Sequence, residues 1–131
     1  MHPENPDIHT INQTLFAGPM FEKAGVKASK NAVVVSPGRI DRSPCGTGSS
    51  ARMALMHARG ELGLGEPFRH LSLLDTQFAC AIEEATRVGG VEAVVTRISG
   101  RAWLTGISAY GVDPDDPFPT GYRLNDSWPG V

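Results

Sequence analysis

Asp41-Arg42-Ser43-Pro44-Cys45-Gly46-Thr47-Gly48-Ser49-Ser50 stands between a β-branched run and a helical pattern, and its reading decides how the chain folds. The stretch sets one cysteine at a glycine-rich turn. A cysteine there lies beside the first amides of the following helix, and those amides and the helix dipole favour negative charge on it. Glycines on both sides of Thr47 let backbone amides converge on a small anion. The amides of Gly46, Thr47 and Gly48 are expected to be helix-start donors without intrahelical acceptors. A thiolate in such a place can act as a nucleophile or as a proton-transfer base. Pro44 fixes one backbone angle and steadies the thiol. Asp41, four residues upstream, can accept a hydrogen bond from a substrate cation. The plainer alternative is a tight strand-to-helix turn with a buried, inert cysteine. A phosphate loop is disfavoured, because the glycine-lysine-serine/threonine ending is missing.

On the amino-terminal side, residues 31–35 read as a buried strand through Val33, Val34 and Val35, closed by Ser36-Pro37-Gly38. Arg39 and Ile40 are expected to carry that strand into the decapeptide. The first thirty residues are loosely patterned, with a short strand over 11–16 and breaks at Gly18-Pro19 and Ala24-Gly25. On the carboxy-terminal side comes a helix capped by Thr47, Ser49 or Ser50 and ended by Gly60. Ala51, Ala54, Leu55, Ala58 and Leu62 follow one helical face, and Met53 and Met56 widen it. So many alanines predict a helix buried in the middle of the domain.

Beyond the helix the spacing predicts strands over 68–74, 78–82, 91–98 and 101–110, with hairpin turns at Gly89-Gly90 and Ser99-Gly100. Residues 113–119 are a proline-rich acidic loop, and 121–131 an irregular tail anchored by Tyr122 and Trp128. The sum is an α+β domain, several antiparallel strands around one central helix.

Composition narrows the function. A chain of 131 residues with a net charge of −2 fits one domain and carries no footprint for nucleic acid or an anionic membrane. No apolar run approaches the roughly 20 residues of a spanning helix. The start, Met1-His2-Pro3-Glu4-Asn5-Pro6, is unlike a signal peptide, so the cytoplasm is the expected compartment. Cys45 and Cys80 make neither a disulfide framework nor a zinc spacing, and a bridge between them would need an exported protein. Cys80, in Phe78-Ala79-Cys80-Ala81-Ile82, is expected to be a buried structural thiol. His2, His9, His57 and His70 are scattered and suggest no metal site, and His57 on the helix reads as packed or solvated.

The octapeptide Asp41 to Gly48 resembles the second catalytic motif of the proline racemase and hydroxyproline epimerase family. Gly100-Arg101-Ala102-Trp103-Leu104-Thr105-Gly106 and Asp116-Pro117-Phe118-Pro119-Thr120-Gly121-Tyr122 resemble later landmarks of that family in the same order. The resemblance covers about residues 31–129. It implies a diaminopimelate-epimerase-like fold of two similar domains, each wrapping strands around a central helix, of which this chain holds the carboxy-terminal one. It also implies cofactor-independent inversion at the α-carbon of proline or a hydroxyproline, one thiolate removing a proton while a second thiol delivers one. Cys45 would be one of those thiols, Asp41 would hold the substrate nitrogen, and the amides of Gly46 and Thr47 its carboxylate.

No cysteine-glycine-histidine motif for the first thiol is present. A lone chain is therefore expected to be inactive and to need a separate amino-terminal half or a second copy of itself as partner. Leu74-Asp75-Thr76 and Cys80 depart from the family's glycine and serine at those places. The alternatives are half of a 3-hydroxyproline dehydratase-type relative, and a non-catalytic remnant or amino-acid-binding module.

Overall fold

Residues 2–122 are described in a computed structural model, which divides into a unit of residues 1–101 and a unit of residues 102–131. The first unit opens with two long antiparallel strands, β1 (Gln13–Lys23) and β2 (Val26–Val35). Ala24 and Gly25, at φ 52° and 73°, make the tight turn between them. Gly18-Pro19 does not break β1 but forms a bulge, where the register shifts between Ala17 and Met20. A Cβ at Gly18 would lie 2.9 Å from the Lys30 carbonyl oxygen, so only glycine fits that crossing. The lead-in is thus ordered strand rather than loose chain. Its pattern is weak because β1 exposes nearly every residue, which removes the alternation that betrays a strand.

The turn at Ser36-Pro37-Gly38 reverses the chain instead of ending a straight strand. Gly38 N–H donates to Val35 O (2.8 Å), and β3 (Arg39–Ile40) pairs back on Val35 and Val34. β4 (Phe68–Leu71) then runs parallel to residues 27–30 of β2. Since β1 occupies one edge of β2, β3 and β4 share the other. β5 (Gln77–Val88) and β6 (Val91–Ser99) complete the sheet as an antiparallel hairpin turned at Gly89-Gly90, as the sequence predicts. The path across the sheet is β1-β2-β4-β5-β6, antiparallel except where β4 meets β2.

Helix α1 (Gly46–Ala58) begins at the decapeptide itself. It ends as Gly60 predicts: Gly60, at φ 71°, donates to His57 O (2.9 Å), and Glu61 N–H to Met56 O (2.8 Å). These two bonds make a Schellman motif. Its buried face differs from the expected one. Ser49, Met53 and Met56 are buried, whereas Ala51, Leu55 and Ala58 are exposed. The helix packs on the sheet through its Ser49, Met53 and Met56 side, and Ala51, Leu55 and Ala58 face outward. Met53 and Met56 join Leu62, Phe68, Cys80 and Ile82 in the core, with Phe78, Val94 and Ile98 against it. The fold is therefore α+β, one sheet and, among the described residues, a single helix.

Residues 101–110 form no strand; no ladder runs through them. β-propensity is a preference for packing on a sheet, and it yields no strand where no neighbouring edge is paired. In the second unit the acidic stretch is a chain of turns, as expected for a loop. Asp113 Oδ1 accepts from Asp115 N–H (3.0 Å), Asp116 Oδ1 from Phe118 N–H (2.8 Å), and the rings of Phe118 and Tyr122 lie 5.2 Å apart. Trp128, the other expected anchor, lies outside the described residues.

The helix face sets a stability contrast. Met53→Ala should lower the unfolding free energy by about 2–5 kcal/mol. Leu55→Ala, on the exposed face, should change it by less than about 1 kcal/mol. Urea titrations followed by circular dichroism check both, and equal losses would mean the alanine face is covered.

Candidate active site

The decapeptide is held by its own side chains and by β2. Asp41 N–H bonds Val33 O (2.9 Å), keeping the chain beside β2 as it leaves β3. Asp41 Oδ1 accepts from Ser43 N–H (2.9 Å), and Ser43 Oγ accepts from Cys45 N–H (3.1 Å). Two successive side-chain-to-backbone turns thus aim the chain at Cys45. Cys45 itself sits at φ 65° and ψ 120° and is the N-cap of α1. Its sulfur accepts from Gly48 N–H at 3.3 Å. None of Thr47, Ser49 and Ser50, the expected caps, holds that position. Thr47 and Ser50 lie inside the helix, and Ser49 Oγ turns back to donate to Cys45 O (2.7 Å).

Gly48 allows this closeness. A Cβ there would meet Leu15 Cδ1 at 2.8 Å, with Cys45 Sγ and Val33 Cγ2 both at 3.4 Å. At Gly46 an added Cβ would meet nothing within 4 Å, so the backbone on that side faces open space. Gly46 and Thr47 are exposed, and first-turn amides have no intrahelical acceptor by position. The first turn carries no acidic residue, which leaves the positive end of the helix dipole for a ligand. The structure therefore brings Cys45, Gly46 and Thr47 together at one helix start. Asp41 joins them through the turn it builds, with one carboxylate oxygen already engaged by Ser43.

Four supporting residues escaped the sequence. Gln13, at the start of β1, accepts from the Cys45 thiol at 3.6 Å, a contact that no local pattern announces. Asn31 of β2 donates to Pro44 O (2.9 Å). Its Nδ2 also lies 3.3 Å from His70 Nδ1, which is itself 2.8 Å from Ser49 Oγ. Ser49 was read only as a cap. A signal for His70 did exist: it alternates with Phe68 on β4, and both are buried. His70 is fully enclosed, and burial first and then the nearby Arg52 charge push its pKa down to about 4. His57 is packed as read, its Nδ1 donating to Leu62 O (2.9 Å).

The departing stretch Leu74-Asp75-Thr76 braces the decapeptide. Asp75 takes φ 61°, a region that favours glycine, and its carboxylate pairs with Lys30 (2.9 Å). Thr76 Oγ1 donates to Arg42 O (3.2 Å), linking this turn to the decapeptide. Cys80 is buried as expected, and desolvation pushes its thiol up to about 11. Both cysteines are free thiols. A cleft of about 420 Å³ lies between α1 and the β5–β6 hairpin, lined by Ala54, His57 and Val94 among others, and it does not include Cys45.

Such a unit is an α+β domain with a buried thiol at the start of the helix, beside the exposed first-turn residues Gly46 and Thr47. Comparison with known proteins places that class. The sequence profile described as proline racemase matches residues 1–123, and the chain belongs to the proline racemase family. It is similar to a probable proline racemase from Agrobacterium radiobacter K84 solved with bound carbonate, at 37% identity and a TM-score of 0.71, over 97% of this chain and 36% of that one. It is equally similar to a hydroxyproline epimerase from Agrobacterium vitis solved with bound trans-4-hydroxy-L-proline, at 37% identity and a TM-score of 0.71, over 97% of this chain and 35% of that one. The chain spans about a third of the length of these relatives. Among the described residues no helix is long and apolar enough to cross a membrane.

The buried groups predict a pH dependence of folding. His70 has a folded pKa of about 4, below its ordinary 6.5, so the unfolded chain binds the extra proton between those values. Its contribution is full above pH 6.5 and is lost as pH falls to 4, an amount of about 3 kcal/mol. Cys80, raised to about 11 from 9.0, acts oppositely: stability is lost as pH rises through that interval. Denaturant titrations from pH 4 to 10 should show both limbs, with the acid limb shallower in His70→Asn. An unchanged acid limb in that variant would exclude His70 as its source.

Proposed function

We propose that Cys45 is one of two acid/base thiols in a cofactor-independent inversion at the α-carbon of proline or a hydroxyproline. The observation that carries this is the Cys45 sulfur held at a helix start by Gly48 N–H, beside the exposed turn of Gly46 and Thr47. The ligands of the two relatives support it: carbonate and trans-4-hydroxy-L-proline both present a trigonal oxyanion group, which first-turn amides suit. In this reading Gly46 and Thr47 amides take the substrate carboxylate and stabilise charge as the α-carbon becomes carbanion-like. The uncommitted oxygen of Asp41 takes the ring nitrogen. The Cys45 thiolate removes the α-proton on one face while a thiol on the other face delivers one, so no electrons change hands and no cofactor is required. Both sulfurs must stay reduced, which suits the cytoplasm.

The second thiol is not Cys80. That side chain is buried in the sheet, and its ionisation is pushed away from neutral pH. In this reading the chain corresponds to the carboxy-terminal, second-cysteine portion of the relatives, and the opposite wall comes from outside these 131 residues.

Two measurements test the reading. At pH 7.5 iodoacetamide should label Cys45 at least tenfold faster than Cys80, by peptide mass spectrometry; the reverse order would refute the acid/base role. In heavy water with L-proline or trans-4-hydroxy-L-proline, the lone chain should invert and exchange at under about 1% of a full-length relative's rate, as expected when one of two bases is missing. Turnover near the full-length rate would overturn the half-site assignment.

A further inference from the structure

The Cys45 turn is held from behind by buried polar side chains that the reaction does not itself use. Ser49, His70 and Asn31 are at 0%, 0% and 3% exposure, and they come from α1, β4 and β2. Counting protons decides how they are joined. Ser49 Oγ lies 2.7 Å from Cys45 O and 2.8 Å from His70 Nδ1, and a hydroxyl has one proton to give. The carbonyl can only accept, and two oxygens at that separation need a proton between them. Ser49 therefore donates to Cys45 O, and the bond to His70 runs the other way, from Nδ1–H to Ser49 Oγ. Asn31 Nδ2 lies 2.9 Å from Pro44 O, which fixes the orientation of its amide. Its 3.3 Å approach to Nδ1 is then a contact rather than a bond.

We propose that His70 is a positioning residue for the Cys45 thiol, held as the Nδ1–H tautomer and acting through Ser49 on the Cys45 carbonyl. Asn31 steadies the preceding carbonyl, so two consecutive peptide groups of the turn are tied to two strands. Those ties hold Cys45 at φ 65° with its sulfur on Gly48 N–H. The function of this positioning rests on Cys45 being the acid/base thiol, but the placement can be measured independently of that.

Nitrogen-15 NMR at neutral pH should show His70 as the Nδ1–H tautomer; an Nε2–H signal overturns the relay. Hydrogen exchange of the Gly48 amide reads the sulfur's placement directly. In Ser49→Ala and His70→Leu its protection should fall about tenfold while Met53 and Met56 amides keep theirs. His70→Asn, whose Nδ2 occupies the Nδ1 position, should restore Gly48 to within about twofold. A uniform loss along α1, or no rescue by His70→Asn, shows that His70 serves only the fold. If His70→Leu does not fold, the other two variants decide the same question. Slow labelling of wild-type Cys45 alongside intact Gly48 protection would refute the acid/base reading and leave the relay standing.

Discussion

Cys45 occupies a backbone conformation that side-chain-bearing residues avoid, at φ 65°, and the architecture of the first unit is arranged around keeping it there. A residue so placed costs of order 1–3 kcal/mol, and it persists only where its surroundings over-determine it. Here the constraint comes from several directions. Asp41 and Ser43 fold the approach, Asn31 holds Pro44 O, and Ser49 holds Cys45 O. The return is geometric: the side chain folds over the helix start and becomes its cap.

That arrangement depends on β2 in a way no single element reveals. One edge of β2 is taken by β1 along its length, and the other is divided between β3 and β4. The division lets residues 39–40 return alongside β2, so the decapeptide starts next to Val33 rather than beyond the strand end. It also places His70 of β4 across from Ser29, two positions from Asn31, close enough for both side chains to reach the turn. The bulge at Gly18-Pro19 shifts the β1–β2 register by one residue, and beyond it Gln13 pairs with Val35 and meets the thiol. A local helix start thus rests on long-range strand pairing.

This explains what could be read from the sequence. The decapeptide was legible because its content is local: a cysteine, two glycines and a helix pattern within ten residues. Gly60 and Gly89-Gly90 were legible for the same reason, since turn conformations are set by neighbouring residues. The helix face was misread because alanine spacing does not say which side a sheet will cover, and Met53 and Met56 were treated as additions rather than as the core stripe. Gln13, Asn31 and His70 were invisible as site residues, being assembled by pairing between segments far apart in sequence. The strand expected over 101–110 failed through the converse error, propensity without a partner edge.

The two cysteines are both enclosed but sit in different surroundings. Cys80 sits in β5 with Ile82 and Phe68 in the core, where burial disfavours its charged form and pushes it up to about 11. Cys45 is almost as enclosed, at 7% against 5% exposure, so burial alone does not separate them. Their neighbours differ in polarity. Cys45 has a helix amide pointing at its sulfur and no carboxylate in the first turn to oppose negative charge. A thiol so placed has an electrostatic partner on one side and open space beyond Gly46 on the other.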